Sequence, residues 1–324
     1  MCARLEPRLE AGTHIRRQLV YFLAVARTRH FTRAAARAHV AQPSLSKQIR
    51  SLEDELGAEL FTRVRGNIAL TPAGEALLPL AERILSDVDT AKLEVQELAG
   101  LRRGRVRVGA PPSLCASLFA DVLRRFHETY PGIQLLVQEN GSRDLVQALH
   151  RGELDLALVI VSPDLVEGPL SHTPILREQL VVASAAGADW PGERKTVALS
   201  ELRDRSLVMF RSGYDVREVT LRTCQDAGFQ PQFAVEGGEM DAVLRFVEAG
   251  LGVAIVPSMV LAARPLLRGV PLTGTDMSRT IALAHRTQTA PTNAARAFRD
   301  VLVAFVVEAA RSGELPAGVE MILA

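Results

Sequence analysis

Residues 31–56 read FTRAAARAHVAQPSLSKQIRSLEDEL, two helical stretches joined by a turn so short that the second must cross the first. The first stretch opens at Thr32, read as its N-cap, and is dense in alanine (Ala34, Ala35, Ala36, Ala38), which lets a neighbouring helix approach closely. The second carries Pro43 in its first turn, where no backbone donor is missed. Along it Leu45, Ile49, Leu52 and Leu56 recur at the spacing of one buried stripe. The opposite face then offers Gln42, Ser44, Ser46, Lys47 and Arg50, polar and basic side chains suited to base edges and phosphates. This is the pattern of a helix-turn-helix.

Upstream, the Arg/Glu-rich residues 1–14 lack an apolar core and are expected to form a disordered tail. A first helix follows from Ile15 to about Arg27, with Leu19, Phe22, Leu23 and Ala26 as its apolar face. Downstream, Thr62–Leu70 reads as two short extended pieces around a Gly66-Asn67 turn, a wing closing a head of residues 15–71. Its tip would bring Arg63 and Arg65 to a DNA backbone or minor groove, unless both are simply solvated. From Thr71-Pro72 a helical pattern runs to about Ala99 (residues 72–99). Leu77, Ala81, Ile84, Val88, Ala91, Val95 and Leu98 alternate steps of four and three along it, as a seam between paired helices requires. The seam could instead pack on its own chain, but a helix tethering a small head to a distant body has little there to cover it. Pro79 sits early in this helix, and Gly100–Gly104 reads as a hinge.

Charge divides along the same line. Residues 1–70 carry 12 Lys and Arg against 6 Asp and Glu, a net of +6, although the 324-residue chain sums to only +1. A basic head on a mildly acidic body fits nucleic-acid binding by one end alone. Three widely separated cysteines, Cys2, Cys115 and Cys224, point to a reducing compartment without structural disulfides. No apolar run approaches the ~18 residues that span a bilayer, and the N-terminus does not resemble an export signal, so a cytoplasmic protein without membrane contact is expected.

Beyond the hinge the texture becomes strand-helix alternation, an α/β body. Strands are expected at 105–110, 133–138, 155–161, 179–184, 207–210, 232–236, 253–256 and 279–285, and helices at 114–129, 143–151, 215–227, 239–249 and 292–311. Residues 139–159, ENGSRDLVQALHRGELDLALV, align without a gap on 236–256, EGGEMDAVLRFVEAGLGVAIV, with seven of 21 positions identical. Unless that similarity is chance between generic units, the body has two similar lobes, each with its own sheet. Lobe I would take residues 105–182 and 271–311, lobe II residues 183–270, and 312–324 would form a C-terminal tail. Ligands of such sheets bind where turns follow strands: Pro112-Ser113-Leu114 and Gly141-Ser142 in one lobe, Arg211-Ser212-Gly213-Tyr214 and Gly237-Gly238-Glu239 in the other. Hydroxyls on Ser113, Ser142 and Ser212 with Arg211 would suit a small carboxylate, a guess that Glu239 and Asp215 complicate; the serines could equally be plain helix caps.

With these residues in view, the chain resembles the LysR-type transcriptional regulators. The resemblance is strong over residues 18–74 and weaker to about residue 311. It implies an α/β protein with an N-terminal winged helix-turn-helix, a long linker helix and a two-lobed effector domain of periplasmic-binding type. It also implies a homo-oligomer, dimer or tetramer, whose grip on promoter DNA a small effector in the cleft alters, with RNA polymerase as a further candidate partner. Carried over by position, Gln42, Pro43, Ser44, Ser46 and Lys47 would meet the major groove, Arg63 or Arg65 the minor groove, and Thr32 the backbone. Ser113 and Ser142 match carboxylate-effector positions, with a looser match from Ser212 to Val216.

An enzyme is not supported: no Gly-Lys-Ser phosphate loop, His-Glu-x-x-His, Gly-x-Ser-x-Gly elbow or Cys/His cluster occurs, and no metal or cofactor is expected. Two rivals stay open. One is a thiol-based redox regulator working through Cys115 or Cys224; the other is a solute-binding protein, which would need a signal sequence in place of the basic head.

Overall fold

The computed structural model describes residues 6–64, 67–97, 104–162, 170–287 and 290–323. It forms two compact units that divide near Leu93. The first is built from α1 (Glu6–Thr28), α2 (Phe31–Arg37), α3 (Gln42–Leu56), the hairpin β1 (Phe61–Val64) and β2 (Asn67–Leu70), and α4 (Pro72–Glu97). Its core gathers the expected stripes of α1 and α3 with Phe31, Leu60 and Phe61; the Phe61 ring lies 5.4 Å from Phe22 and 5.9 Å from Phe31. Burying Leu45, Ile49 and Leu52 contributes roughly 1.5–3 kcal/mol each, which fixes the roll of α3 about its axis.

Several expectations are corrected. Helix α1 begins at Glu6, so most of the supposed tail is helical; Glu6 and Pro7 suit a first turn, and Arg8, Leu9, Glu10 and Ala11 are strong helix formers that need no amphipathic stripe. Thr32 is not the cap of α2. That role falls to His30, whose Nδ1 accepts the Arg33 N–H at 3.4 Å, leaving Thr32 inside the first turn. Leu56 drops out of the buried stripe and is exposed, because α3 ends there on a left-handed Gly57.

Helix α4 starts on a Thr71 cap: its hydroxyl donates to the Glu59 carbonyl at 2.6 Å and accepts the Gly74 N–H at 3.0 Å. Contrary to the sequence reading, the first turns of α4 do have something to pack on. Leu77 and Ala81 join the head core, and Arg27–Glu82 (3.1 Å) and Arg16–Asp89 (3.5 Å) tie α4 to α1. The large apolar residues left open among those described are Leu80, Ile84 at 43% exposure and Val95 at 70%, and Ala91 of the expected seam is also exposed. Leu98 and residues 100–103 of the expected hinge lie outside the described residues, and Gly104 already belongs to a strand.

The second unit runs β3 (Gly104–Ala110), α5 (Pro112–Leu114), a wide π turn (Cys115–Phe119), α6 (Ala120–Thr129), β4 (Ile133–Glu139), α7 (Ser142–His150), β5 (Leu156–Ile160) and β6 (Leu170–Ala185). It continues with β7 (Val197–Ala198), β8 (Ser206–Met209), α8 (Asp215–Asp226), β9 (Gln232–Glu236), α9 (Met240–Glu248), β10 (Ala254–Pro257), β11 (Leu267–Thr273), β12 (Ser278–Arg286), α10 (Asn293–Ser312) and β13 (Val319–Met321). The helix expected over 114–129 is broken by the π turn, where Ser117 donates to the Ser113 carbonyl at 2.7 Å instead of leaving the ladder regular.

Two lobes form around separate apolar cores, but they do not have separate sheets. Strand β6 belongs to both: its first half pairs with β12 and β13, its second half with β10 and β11. Lobe I orders its strands β4-β3-β5-β12-β6. In lobe II, β8 pairs with β9 in parallel and bridges to Val253 beside β10. The chain therefore enters lobe II near Gln179 and returns between Thr273 and Ser278. The repeat survives in three dimensions, since α7 then β5 and α9 then β10 have the same order after a turn. The expected C-terminal tail is also corrected: Val319–Met321 pairs with β6, and Leu315, Val319 and Met321 pack on the lobe I core.

Candidate functional site

Helix α3 presents Gln42, Pro43, Ser44, Lys47 and Arg50 to solvent on the side away from Leu45, Ile49 and Leu52. Ser46 does not share that exposure. It is only 5% exposed and accepts a hydrogen bond from Gln42 Nε2 at 2.9 Å. At 100° per residue Ser46 borders the Ile49 side of the stripe, so its hydroxyl orients Gln42 rather than reaching outward. Thr32 is exposed in α2, next to exposed Arg33. In the wing, Arg63 pairs through its backbone with Ile68; its side chain and all of Arg65 lie outside the described residues.

The second site lies between the lobes. Pro111, Pro112, Ser113 and Gly141 of lobe I face Arg211, Gly213, Tyr214 and Asp215 of lobe II, with Arg279 of β12 between them, around a narrow cleft. This brings together the predicted Ser113, Arg211 and Tyr214. Leu114 and Val216 are instead buried in the two lobe cores, and Ser212 is exposed outside the pocket lining. Gly238, at φ +141°, backs the turn: its carbonyl accepts the Arg211 N–H at 3.2 Å, and Glu239 pairs with the Arg211 side chain. Ser142 is a bridge between lobes. Its hydroxyl donates to Asp215 Oδ2 at 3.0 Å and accepts the Ile160 N–H at 3.0 Å, so it is satisfied without a ligand.

Burial raises the Asp215 carboxyl above its usual range, against the lowering influence of the Ser142 hydroxyl and Arg279; burial likewise raises the Tyr214 phenol. A carboxyl that holds its proton more tightly folded than unfolded loses the folded state stability as pH rises through that raised range.

Sequence reasoning missed Arg279 and its partner. Glu178 is fully buried, accepts the Met259 N–H on Oε1 at 2.7 Å, and accepts Arg279 Nε on Oε2 at 2.8 Å. A charged residue heading an otherwise apolar strand, Arg279-Thr-Ile-Ala-Leu-Ala, was the available signal. Glu178→Gln would strand the buried guanidinium, and a loss of about 3–5 kcal/mol in the urea unfolding free energy is expected; an unchanged midpoint would show that the pair is not coupled to folding.

Among the described residues no group of side chains could hold a metal ion, and no helix is long and apolar enough to cross a membrane. Cys115 and Cys224 are free thiols; burial, with Glu139 nearby, pushes Cys115 up to about 12, and burial pushes Cys224 up to about 11. Cys2 lies outside the described residues.

A winged helix-turn-helix joined by a long helix to a two-lobed cleft domain defines a DNA-binding regulator that responds to a small ligand. Comparison with known proteins agrees. The model for the "Bacterial regulatory helix-turn-helix protein, lysR family" matches residues 16–75, and that for the "LysR substrate binding domain" matches residues 99–306. The chain is 33% identical over 246 residues to the transcriptional dual regulator GltC of Bacillus subtilis, covering 76% of this chain and 81% of GltC. It is 30% identical over 276 residues to the DNA-binding transcriptional dual regulator OxyR of Escherichia coli, covering 83% and 88% respectively. Full-length CbnR in complex with its target DNA superposes with a TM-score of 0.66 at 26% identity, covering 90% of this chain and 99% of CbnR. The chain belongs to the LysR family of transcriptional regulators.

Proposed function

We propose that α3 enters the major groove of promoter DNA with Gln42, Ser44, Lys47 and Arg50 toward bases and phosphates, Thr32 near the backbone, and the wing arginines at the flanking minor groove. The observation that carries this is the open polar and basic face of α3 opposite its buried stripe. Lys47 donates as a point charge, so it serves a phosphate better than a bidentate guanine contact. Two copies pair through the open apolar residues of α4, and a small effector in the interlobe pocket changes how the pair sits on DNA. The chain works in the cytoplasm by binding, with no bond made or broken.

Selection of duplexes from a random pool by the full chain tests this reading. Enrichment of two-fold related half-sites, one or more turns of about 10 bp apart, is expected; retention without sequence preference would reduce the head to a non-specific polycation. A thiol switch is the weaker reading despite the likeness to OxyR, because both described thiols are held protonated at neutral pH and a protonated thiol is a poor nucleophile.

A further inference from the structure

Among the described residues, three polar atoms at the interlobe pocket are buried without a hydrogen-bond partner. They are Ser113 Oγ, Tyr214 Oη and Arg279 Nη2, and their residues are each more than nine-tenths buried. Arg279 Nη2 lies 2.7 Å from Glu178 Oε2, but that oxygen already takes the Nε donor, and Nη2 makes no hydrogen bond to it. Leaving such groups unsatisfied is costly, so their convergence on one pocket marks a place that a ligand completes. All three can donate, which calls for an acceptor-rich anionic group.

Charge balance adds a second requirement. Glu178 already neutralises Arg279, and Glu239 already pairs with Arg211. Asp215 lines the same pocket; among the described residues its carboxylate accepts a side-chain hydrogen bond from the neutral Ser142 hydroxyl alone and forms no salt bridge, and the cations that act on it, Arg279 and Arg143, do so without contact. A simple carboxylate would therefore add a second negative charge beside Asp215 in a partly desolvated space. At a few ångströms such a repulsion is only weakly screened in a partly desolvated space. A ligand bearing its own cation removes the conflict.

Building on the reading of this pocket as the effector site, we infer that the effector is a small zwitterion of the α-amino acid class. Its carboxylate takes the donors of Arg279, Ser113 and Tyr214. Its ammonium group lies against Asp215, replacing the water that burial has stripped from that carboxylate.

The test uses the full chain and a thermal-shift panel of the twenty common L-α-amino acids, their des-amino carboxylates and their decarboxylated amines, each at about 10 mM. At least one amino acid is expected to raise the unfolding midpoint while its two truncated counterparts do not. Calorimetry with that amino acid should show at least a tenfold loss of affinity in Asp215→Asn, with affinity for the des-amino carboxylate unchanged or increased. Asparagine keeps the size of Asp215 and still accepts from Ser142, so folding is preserved. Binding of a des-amino carboxylate as tight as that of its amino acid, or no shift from any panel member, overturns the zwitterion assignment. Binding that Ser113→Ala and Tyr214→Phe both leave unaltered places the ligand outside this pocket, which overturns the effector-site reading instead.

Discussion

Lys47→Glu is expected to lower affinity for a selected duplex by roughly two orders of magnitude at moderate salt, with the circular dichroism and unfolding midpoint of the chain unchanged. Lys47 is exposed and makes no contact that the head core depends on, so the loss is electrostatic. Removing one phosphate contact flattens the dependence of log K on log salt by about one, and the new carboxylate adds repulsion from the same phosphate. Fluorescence anisotropy across a salt series measures both quantities. Binding retained with an unaltered salt slope would mean that another face of the head meets DNA. The partner variant Ser46→Glu is less clean, since burial of Ser46 under Gln42 means that it would also disturb the helix.

The combined change Leu80→Glu with Ile84→Glu is expected to yield monomer at micromolar concentration in sedimentation velocity, where the parent chain is at least a dimer. Both residues lie on the part of α4 left open after Leu77 and Ala81 have joined the head core. In a two-fold seam each substitution counts twice: besides the remaining burial of four half-open apolar side chains, four carboxylates would be set unpaired in an apolar contact, which together exceeds the roughly 4.1 kcal/mol that separates a nanomolar from a micromolar dimer. Affinity for a two-half-site duplex should fall with it, because two linked heads gain from effective concentration. An unchanged sedimentation coefficient would move the pairing surface elsewhere.

The parts of this molecule that were readable beforehand are those in which local periodicity decides the outcome. The α3 stripe, the α7–β5 and α9–β10 repeat and most strands of the body follow from spacing alone. Misses arose where a neighbour distant in sequence, or an unusual local partner, overrode propensity. His30 took the cap from Thr32 because an imidazole nitrogen can accept a backbone donor as a hydroxyl does. The first half of β6 looked unlike a strand because Pro174 interrupts it; the sheet absorbs this by a bulge that sets Ile281 against Leu176 but Ala282 against Pro174. At the cleft, Ser113 and Tyr214 were legible as residues of turns after strands. Arg279 was not, because only the crossing of β12 between the lobes brings it beside them.

That β6 runs on as a single strand through both halves of the body has a bearing on engineering. A chimaera that swaps a single lobe for that of a relative must cut this strand, strip hydrogen bonds from β12 on one side and β10 on the other, and leave raw edges ready to pair with other chains. Sensors with new ligand preferences are therefore better made by exchanging the body whole, or by altering side chains around the pocket while the backbone stays in place.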